Sequence, residues 1–278
     1  MRLAISNIAW DVGEDETIAA LLTRFDVDAI DIAPGKYFPD PPAATENDIK
    51  GVREWWAERG FEITGMQALL FGTTGLNLFG APDVQNAMLN HLQSVCRIGA
   101  GLGARRLVFG SPKNRDRTGL NDQETLDIAV PFFRRLGGLA QTYDVTICLE
   151  PNPVCYGTNF MTTSADTAEV VRLIDHPAIR MQLDSGAIAI NGEEPEAVLE
   201  GCRALIGHIH ASEPNLLPLG DGGAEHAKVM TALLKHLPEQ VVTIEMLATS
   251  NEPHVVSIAR ALAVADRFYR NSGQELTL

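Results

Sequence analysis

The sequence predicts a single (β/α)8 barrel, and three observations support that fold class. Short runs rich in aliphatic and β-branched residues recur eight times, and each is followed by a longer stretch with helical spacing of apolar residues. These runs begin about 34 residues apart on average, and a barrel of this kind typically needs about 250 residues. No linker or low-complexity tract divides the 278 residues. We therefore predict one barrel domain over residues 1–278.

The eight predicted strands share a core of apolar residues that is long enough for a buried parallel strand. In chain order they are LAISNIA (3–9), VDAIDIA (27–33), FEITGMQ (61–67), RRLVFG (105–110), VTICLE (145–150), IRMQLD (179–184), LIGHIH (205–210) and VVTIEM (241–246). An open doubly wound sheet is the alternative, but it usually carries a glycine-rich phosphate turn after its first strand. NIAWDVGED has no such turn, so the closed barrel is favoured.

Helices are predicted between the strands, most clearly over residues 82–100 and 252–270, where apolar residues fall on one face. Start signals support these and other helices. Asn121 and Thr163 are each followed three residues later by an acid, and Asn251 precedes a Glu-Pro pair. We expect helices to begin at these three residues.

Composition excludes several functional classes. Lys and Arg total 22 against 36 for Asp and Glu, a net charge of −14 that disfavours binding to nucleic-acid phosphates. The N-terminus lacks the pattern of a signal peptide, and the longest uncharged run is too polar for a membrane span. Four scattered cysteines suggest neither a disulfide framework nor a zinc knuckle. We expect a cytoplasmic protein with no membrane or nucleic-acid partner.

Polar residues end four consecutive predicted strands: Glu150, Asp184, His210 and Glu245. In such barrels, functional groups lie at the carboxyl ends of the strands. Three carboxylates brought close together repel one another unless a cation or protons neutralise them. Carboxylates with one imidazole are a mainly hard ligand set, which suits Mn²⁺, Mg²⁺ or Co²⁺. We predict that these four residues hold one divalent metal ion. Mn²⁺ is the preferred ion, and Mg²⁺, Co²⁺ and Zn²⁺ are the alternatives.

Each of these residues also has a simpler interpretation, and a lone Glu at a strand end is more often a surface residue. Asp184 precedes Ser-Gly-Ala and could cap a helix or turn, and His210 could be a hydrogen-bonded core histidine. His208 is interpreted as such a core histidine or as a partner of a metal ligand. The occurrence of all four at consecutive strand ends favours the shared site.

The segments LEPNPVCYGTNFMTT, MQLDSGA, GHIHASEPN and VTIEML resemble the xylose-isomerase-like TIM barrels, in that family's order and at its strand positions. This superfamily, also called the AP endonuclease 2-like barrels, includes sugar and sugar-phosphate isomerases, ketose 3-epimerases and endonuclease IV. The resemblance implies that Glu150, Asp184, His210 and Glu245 bind one divalent metal. It also implies that Glu150 and Glu245 are the catalytic acid and base on opposite faces of the substrate.

The implied function is a divalent-metal-dependent sugar or sugar-phosphate isomerase or epimerase that works by proton transfer through a metal-stabilised enediolate. The alternative is a metal-dependent dehydratase of a polyol or keto-inositol, similar to inosose dehydratase. A non-catalytic ligand-binding barrel is a third reading. An endonuclease is disfavoured, because the further histidines of endonuclease IV are missing and the charge is −14.

The substrate is expected to be a small carbohydrate-like molecule, and two departures from the hexulose epimerases bear on it. Ser-Gly-Ala follows Asp184 where those enzymes have a substrate-binding His, and no Arg follows HIHASE. The loop 111–117 is either an anion-binding element for a phosphate or carboxylate, or a solvated loop. Residues predicted to bind the substrate are Glu213, Asn152, Gln67, Lys113, Arg115 and His208.

A homo-oligomer, a dimer or tetramer, is also expected. The basis is the family resemblance together with six large apolar residues in the loop 69–79. Such a segment would form a conspicuous patch on a monomer unless it covers the site or a partner.

Overall fold

The computed structural model describes residues 1–270, and its eight strands close into a parallel barrel in chain order. The strands are β1 (Arg2–Ser6), β2 (Ala29–Ile32), β3 (Glu62–Met66), β4 (Arg106–Phe109), β5 (Thr146–Leu149), β6 (Ile179–Asp184), β7 (Ile206–Ser212) and β8 (Val241–Glu245). β1 pairs with both β2 and β8, which closes the barrel. The predicted fold class is confirmed. Residues 271–278 of the predicted domain lie outside the described residues.

Helices pack around this barrel with their apolar faces inward. They are α1 (Asp15–Arg24), α2 (Glu46–Ala57), α3 (Pro82–Leu102), α4 (Asp122–Thr142), α5 (Ser164–Ile174), α6 (Ser185–Asn191), α7 (Pro195–Cys202), α8 (His226–His236) and α9 (His254–Ala265). In α3 the residues Met88, Leu92, Val95 and Ile98 are completely buried, as their helical spacing requires. Within residues 1–270, no helix is long and apolar enough to cross a membrane.

The helix start signals hold at two of three places. Asn121 and Glu124 form a reciprocal capping box at α4, and the Thr163 hydroxyl accepts the N–H of Asp166 at α5. The predicted start at Asn251 is wrong. Pro253 holds an extended backbone conformation just before α9, so the helix begins only at His254. A π-helical turn, Asp266–Arg270, follows the end of α9.

The strand ladder differs from the prediction at the end of β7, and it is irregular at two other places. β7 continues to Ser212, because Ser212 pairs with Glu245 of β8, so the predicted strand end at His210 is wrong. The ladder also shifts register between Ile30 and Asp31 of β2, and between Met181 and Gln182 of β6. Such bulges change the direction in which a side chain points and are common next to functional sites.

Candidate metal centre

The four polar residues predicted to share a site do come together at the carboxyl ends of β5 to β8. His210 Nδ1 lies 3.2 Å from Glu245 Oε2, 3.4 Å from Glu150 Oε1 and 3.9 Å from Asp184 Oδ2. One ligand atom from each of the four residues can be chosen so that all four atoms lie within 4.8 Å of one another. His210 is completely buried, and Asp184 and Glu245 are each only 7% exposed.

The electrostatics of this cluster are those of a cation site. Burial, together with the charges of Glu245 and Glu150, raises the pKa of Asp184 to about 8. Burial lowers the pKa of His210, but the carboxylates of Glu245 and Glu150 outweigh it and raise that pKa well above its ordinary value. Negative charge is therefore in excess at the centre, and a divalent cation would relieve it. The donor set of three carboxylates and one imidazole fits such an ion.

Neighbouring polar groups fix the orientation of each carboxylate. Gln67 Nε2 donates to Glu245 Oε1 at 2.6 Å, and Asn152 Nδ2 donates to Glu150 Oε2 at 3.0 Å. Ser212 Oγ donates to Asp184 Oδ2 at 2.9 Å, and the N–H of Ala187 donates to Asp184 Oδ1. Asp184 is also the N-cap of α6, so its predicted capping role is confirmed and is compatible with its predicted role as a metal ligand. Gln67 and Asn152 thus contact the candidate ligands, and their role in substrate binding stays a prediction.

A glycine leaves room for the Glu150 carboxylate. Gly110 directly follows β4, and a Cβ placed on it would lie only 1.8 Å from Glu150 Oε2. Ser212 and Gly110 were both missed in the sequence analysis. The signal for Ser212 was its position two residues after His210, where a strand places a side chain on the same face.

His208 lies inside the barrel rather than at its mouth. Its Nε2 is 2.7 Å from Asp31 Oδ2, and its Nδ1 is 3.0 Å from Gln182 Oε1. Asp31 and Gln182 are completely buried, and His208 is 6% exposed. The interpretation of His208 as a polar core residue is therefore supported, and its role in substrate binding stays a prediction. Asp31 was missed, although one acid within the apolar strand AIDI is a signal for a buried partner.

Glu213 closes a loop rather than facing an open site. Its carboxylate accepts the N–H groups of Gly220 and Ala224 at 2.7 and 2.8 Å, and His226 Nε2 lies 2.9 Å away. These contacts lower the pKa of Glu213 despite its burial, which acts in the opposite direction. His226 Nδ1 is in turn 2.8 Å from the hydroxyl of Tyr269. His226, to which sequence analysis assigned no role, therefore ties this loop to the last described turn.

Lys113 and Arg115, both predicted to bind the substrate, lie in different environments. Lys113 is exposed, whereas Arg115 is completely buried and its Nη1 donates to the main-chain oxygen of Glu150 at 2.8 Å. Burial lowers the pKa of Arg115 to about 10. Arg115 ends a short 3₁₀ turn, Pro112–Arg115, and its burial shows that the loop is not wholly solvated. Anion binding by this loop stays a prediction.

The apolar segment 69–79 does not form the expected exposed patch. Leu69, Leu70 and Leu78 are buried, because the segment folds back onto the core, and Phe71 alone stands out at 83% exposure.

A closed parallel barrel with a buried carboxylate and histidine cluster at one rim defines the class of this protein. The sequence profile of the xylose isomerase-like TIM barrels matches residues 19–265, and the chain belongs to that family. No curated protein sequence matches the chain.

Solved structures with the same fold include several sugar epimerases. A D-psicose 3-epimerase from Clostridium cellulolyticum H10, solved with D-tagatose, has a TM-score of 0.81 and 16% identity over 97% of this chain and 99% of its own. An L-ribulose 3-epimerase has a TM-score of 0.80 and 16% identity over 96% and 94%. A 3-keto-D-glucoside 4-epimerase from E. coli has a TM-score of 0.77 and 16% identity over 95% and 98%. At these identities the likeness shows a shared fold.

Proposed function

We propose that this protein is a divalent-metal-dependent epimerase or isomerase of a small sugar or sugar phosphate. The observation that carries the proposal is the convergence of Glu150, Asp184, His210 and Glu245, whose ligand atoms lie within 4.8 Å of one another. Their strand positions match the pattern from which the sequence predicts this function. The family and the epimerases that share the fold support the same activity.

The residues of the centre would hold one divalent cation, with Mn²⁺ preferred because the ligand set is mainly hard. Such a cation would act as a Lewis acid on substrate oxygens and acidify the C–H bond beside a carbonyl group. His210 Nδ1 is buried and has no hydrogen-bond partner among the described residues, as expected for a nitrogen reserved for a metal. The fit therefore rests on the donor atoms as well as on the charge.

Glu150 and Glu245 are proposed to transfer the proton. Each glutamate has one oxygen facing His210 Nδ1 and the other held by an amide, from Asn152 and Gln67 respectively. The two come from β5 and β8, which are not neighbours in the barrel, so they approach the centre from different sides. One carboxylate would remove a proton from carbon while the other returns one on the opposite face. The amides keep both carboxylates in place for this exchange.

The charge of the substrate is a finer question, and Arg115 does not answer it. Its guanidinium is completely buried, whereas Lys113 of the same loop is exposed. We propose that the sugar or sugar phosphate is bound mainly through its hydroxyl and carbonyl oxygens. Of the other predicted contacts, Gln67 and Asn152 are proposed to orient Glu245 and Glu150, and Glu213 to shape the rim.

A proton-exchange experiment tests the proposal. The Mn²⁺-loaded protein is incubated in D₂O with ketoses, aldoses, their phosphates and inososes, and products are analysed by NMR and mass spectrometry. Epimerisation or isomerisation incorporates deuterium at carbon without loss of water. A dehydratase would begin with the same proton abstraction but eliminate one water molecule, so that its product is lighter than the substrate by about 18 mass units. No exchange with any substrate, while Mn²⁺ is bound, would contradict the proposal.

Association is a further part of the proposal. Phe71 is 83% exposed and Val154 is 68% exposed, and both lie on loops that follow barrel strands. We propose a dimer or tetramer that covers these side chains, in the cytoplasm and without a nucleic-acid or membrane partner. Light scattering at micromolar concentration should give a multiple of the 30.1 kDa chain mass, and Phe71→Asp should lower that mass. A monomer of the wild-type protein would contradict association.

A further inference from the structure

A second group of buried polar side chains lies inside the barrel next to His210. It consists of Asp31 from β2, Gln182 from β6 and His208 from β7, which we call the inner polar group. One carboxylate oxygen of Asp31 and one ring nitrogen each of His208 and His210 lie within 4.8 Å of one another. The rings of His208 and His210 meet edge to face with centroids 5.0 Å apart. The inner polar group is thus in direct contact with the proposed metal centre.

The local backbone accommodates this group. Both register shifts of the ladder fall at its members, one at Asp31 and one at Gln182. A Cβ on Gly65 would lie 2.7 Å from Asp31 Oδ2, so only glycine at that position leaves space for the carboxylate. The register shift at Asp31 and the absence of a side chain on the facing Gly65 both make room for the Asp31 carboxylate. They indicate that its placement is specific.

His210 has one nitrogen for the centre and one that needs another partner. Nδ1 faces the three carboxylates at 3.2–3.9 Å, so it must be unprotonated to bind a metal there. The neutral ring then carries its proton on Nε2. Nε2 is buried and has no hydrogen-bond partner among the described residues. A buried N–H without an acceptor is costly, and ligand histidines usually donate that proton to a carboxylate, a carbonyl or water.

Asp31 has the matching free acceptor. Its Oδ1 accepts the hydroxyl of Thr64 at 2.9 Å. Its Oδ2 approaches His208 Nε2 at 2.7 Å, but among the described residues it accepts no well-directed hydrogen bond. One water molecule with two hydrogen bonds of about 2.8 Å spans a gap of up to roughly 5 Å between a nitrogen and an oxygen. One carboxylate oxygen of Asp31 and one ring nitrogen of His210 lie within 4.8 Å of each other, which is within that range.

We propose that Asp31 is a positioning residue for the metal centre, and that its carboxylate accepts the Nε2–H of His210, directly or across one water. This contact would hold His210 in the tautomer that leaves Nδ1 free for the metal. The inference rests on the metal centre proposed above and adds a residue from the opposite part of the barrel to it.

The test compares Asp31→Asn with the wild-type protein. An asparagine keeps the shape, but its NH₂ can face Nε2 and favour the tautomer protonated on Nδ1. Mn²⁺ affinity, measured by calorimetry, should fall by about 10- to 100-fold, the usual effect of losing a partner of a ligand histidine. The control is Asp15→Asn, because Asp15 is also buried but bonds Trp10 and Tyr37 away from the centre. Its Mn²⁺ affinity should equal that of the wild type.

A spectroscopic measurement distinguishes positioning from general loss of stability. In wild-type protein labelled with ¹⁵N-histidine and loaded with Zn²⁺, NMR should show His210 protonated on Nε2 and ligated through Nδ1. An unchanged Kd in a folded Asp31→Asn variant, or wild-type His210 ligated through Nε2, would overturn the inference. If that variant fails to fold, the wild-type spectrum alone decides. A wild-type protein that binds neither Mn²⁺ nor Zn²⁺ would instead refute the metal centre itself.

Discussion

The two ends of the barrel treat charge in opposite ways. At the amino ends of the strands, Arg2 of β1 contacts Asp28 at 2.9 Å and Glu62 at 2.6 Å, with all three side chains well exposed. At the carboxyl ends, Glu150, Asp184 and Glu245 crowd around His210 and are largely shielded from solvent. Opposite charges are paired in water at one end, and like charges are concentrated away from water at the other.

This difference separates stability from function along the same eight strands. Exposed ion pairs contribute little, typically about 0–1 kcal/mol each, and can be lost without consequence for a site at the far rim. Crowded buried carboxylates destabilise the fold until a cation neutralises them, so they are retained for what they bind. We therefore expect substitutions at the two ends to have very different effects.

The largest effect should come from the two glutamates at the carboxyl end. Glu245→Gln and Glu150→Gln should each reduce turnover by about 100-fold or more, because an amide keeps one ligating oxygen but cannot accept the proton. Steady-state kinetics on the substrate found in the D₂O experiment measures this, with circular dichroism to establish that the fold persists. A glutamine variant with near wild-type turnover would reduce that residue to a ligand.

When the metal is removed, the buried groups at the carboxyl end should make the free energy of unfolding depend on pH. Without metal, folded Asp184 keeps a proton between its ordinary pKa of 3.8 and its raised pKa of about 8, whereas the unfolded chain releases it. The free energy of unfolding should therefore fall as pH rises through this window, by at most about 1.4 kcal/mol per pH unit for one proton. The raised pKa of His210 acts in the same direction at higher pH.

Addition of Mn²⁺ should reverse this trend. At a metal concentration 100 times Kd, binding adds about 2.7 kcal/mol to the free energy of unfolding. The gain should be larger at pH 8 than at pH 5, because the ligands must be deprotonated to bind. Thermal melts with EDTA and with Mn²⁺ over pH 5–8 measure both effects. A melting temperature of the EDTA-treated protein that does not decline with pH would argue against the crowded carboxylates.

A smaller effect at the carboxyl end should come from the amide that holds Glu245. Gln67→Leu removes the 2.6 Å hydrogen bond to Glu245 Oε1. Hydrogen bonds to charged groups contribute about 1.5–3 kcal/mol, so turnover should fall roughly 10-fold or more. The matched control is Gln123→Leu, whose exposed amide bonds Asp127 on α4, and it should leave turnover unchanged. Equal kinetics for both variants would show that Gln67 does not orient the glutamate.

The smallest effect is expected at the amino end. Arg2→Ala removes both exposed ion pairs of β1 and should lower the free energy of unfolding by no more than about 1 kcal/mol. Turnover and Mn²⁺ affinity should not change. Urea denaturation and calorimetry check these expectations, and a clear loss of metal binding would show that the two ends are coupled.

The sequence carries most of the fold and the four residues of the centre, because both depend on patterns that span several residues. Eight apolar runs predict the strands, and the acids and histidine that end the predicted strands coincide at one rim. The end of β7 could not be read from its composition, since pairing of Ser212 with Glu245 extends the strand.

Other errors arise where one side chain contradicts its local pattern. Arg115 lies in a polar loop whose composition is typical of a solvent-exposed segment. In the folded chain its 3₁₀ turn is buried at this residue, and its guanidinium contacts the main-chain oxygen of Glu150. Asp31 is a single acid in an apolar strand, and its partners come from β3 and β7, which are distant in sequence. Such residues depend on contacts that a local pattern does not record.

The space beside Gly110 has a consequence for how this protein can change. Its backbone is not among the left-handed glycines, so conformation alone would permit other residues there. Volume forbids them, since any side chain would displace the Glu150 carboxylate. In a saturation library we expect Gly110 to tolerate no replacement that keeps activity, although the protein still folds. Substrate range can then be evolved through the loops around the rim, while the end of β4 stays constant.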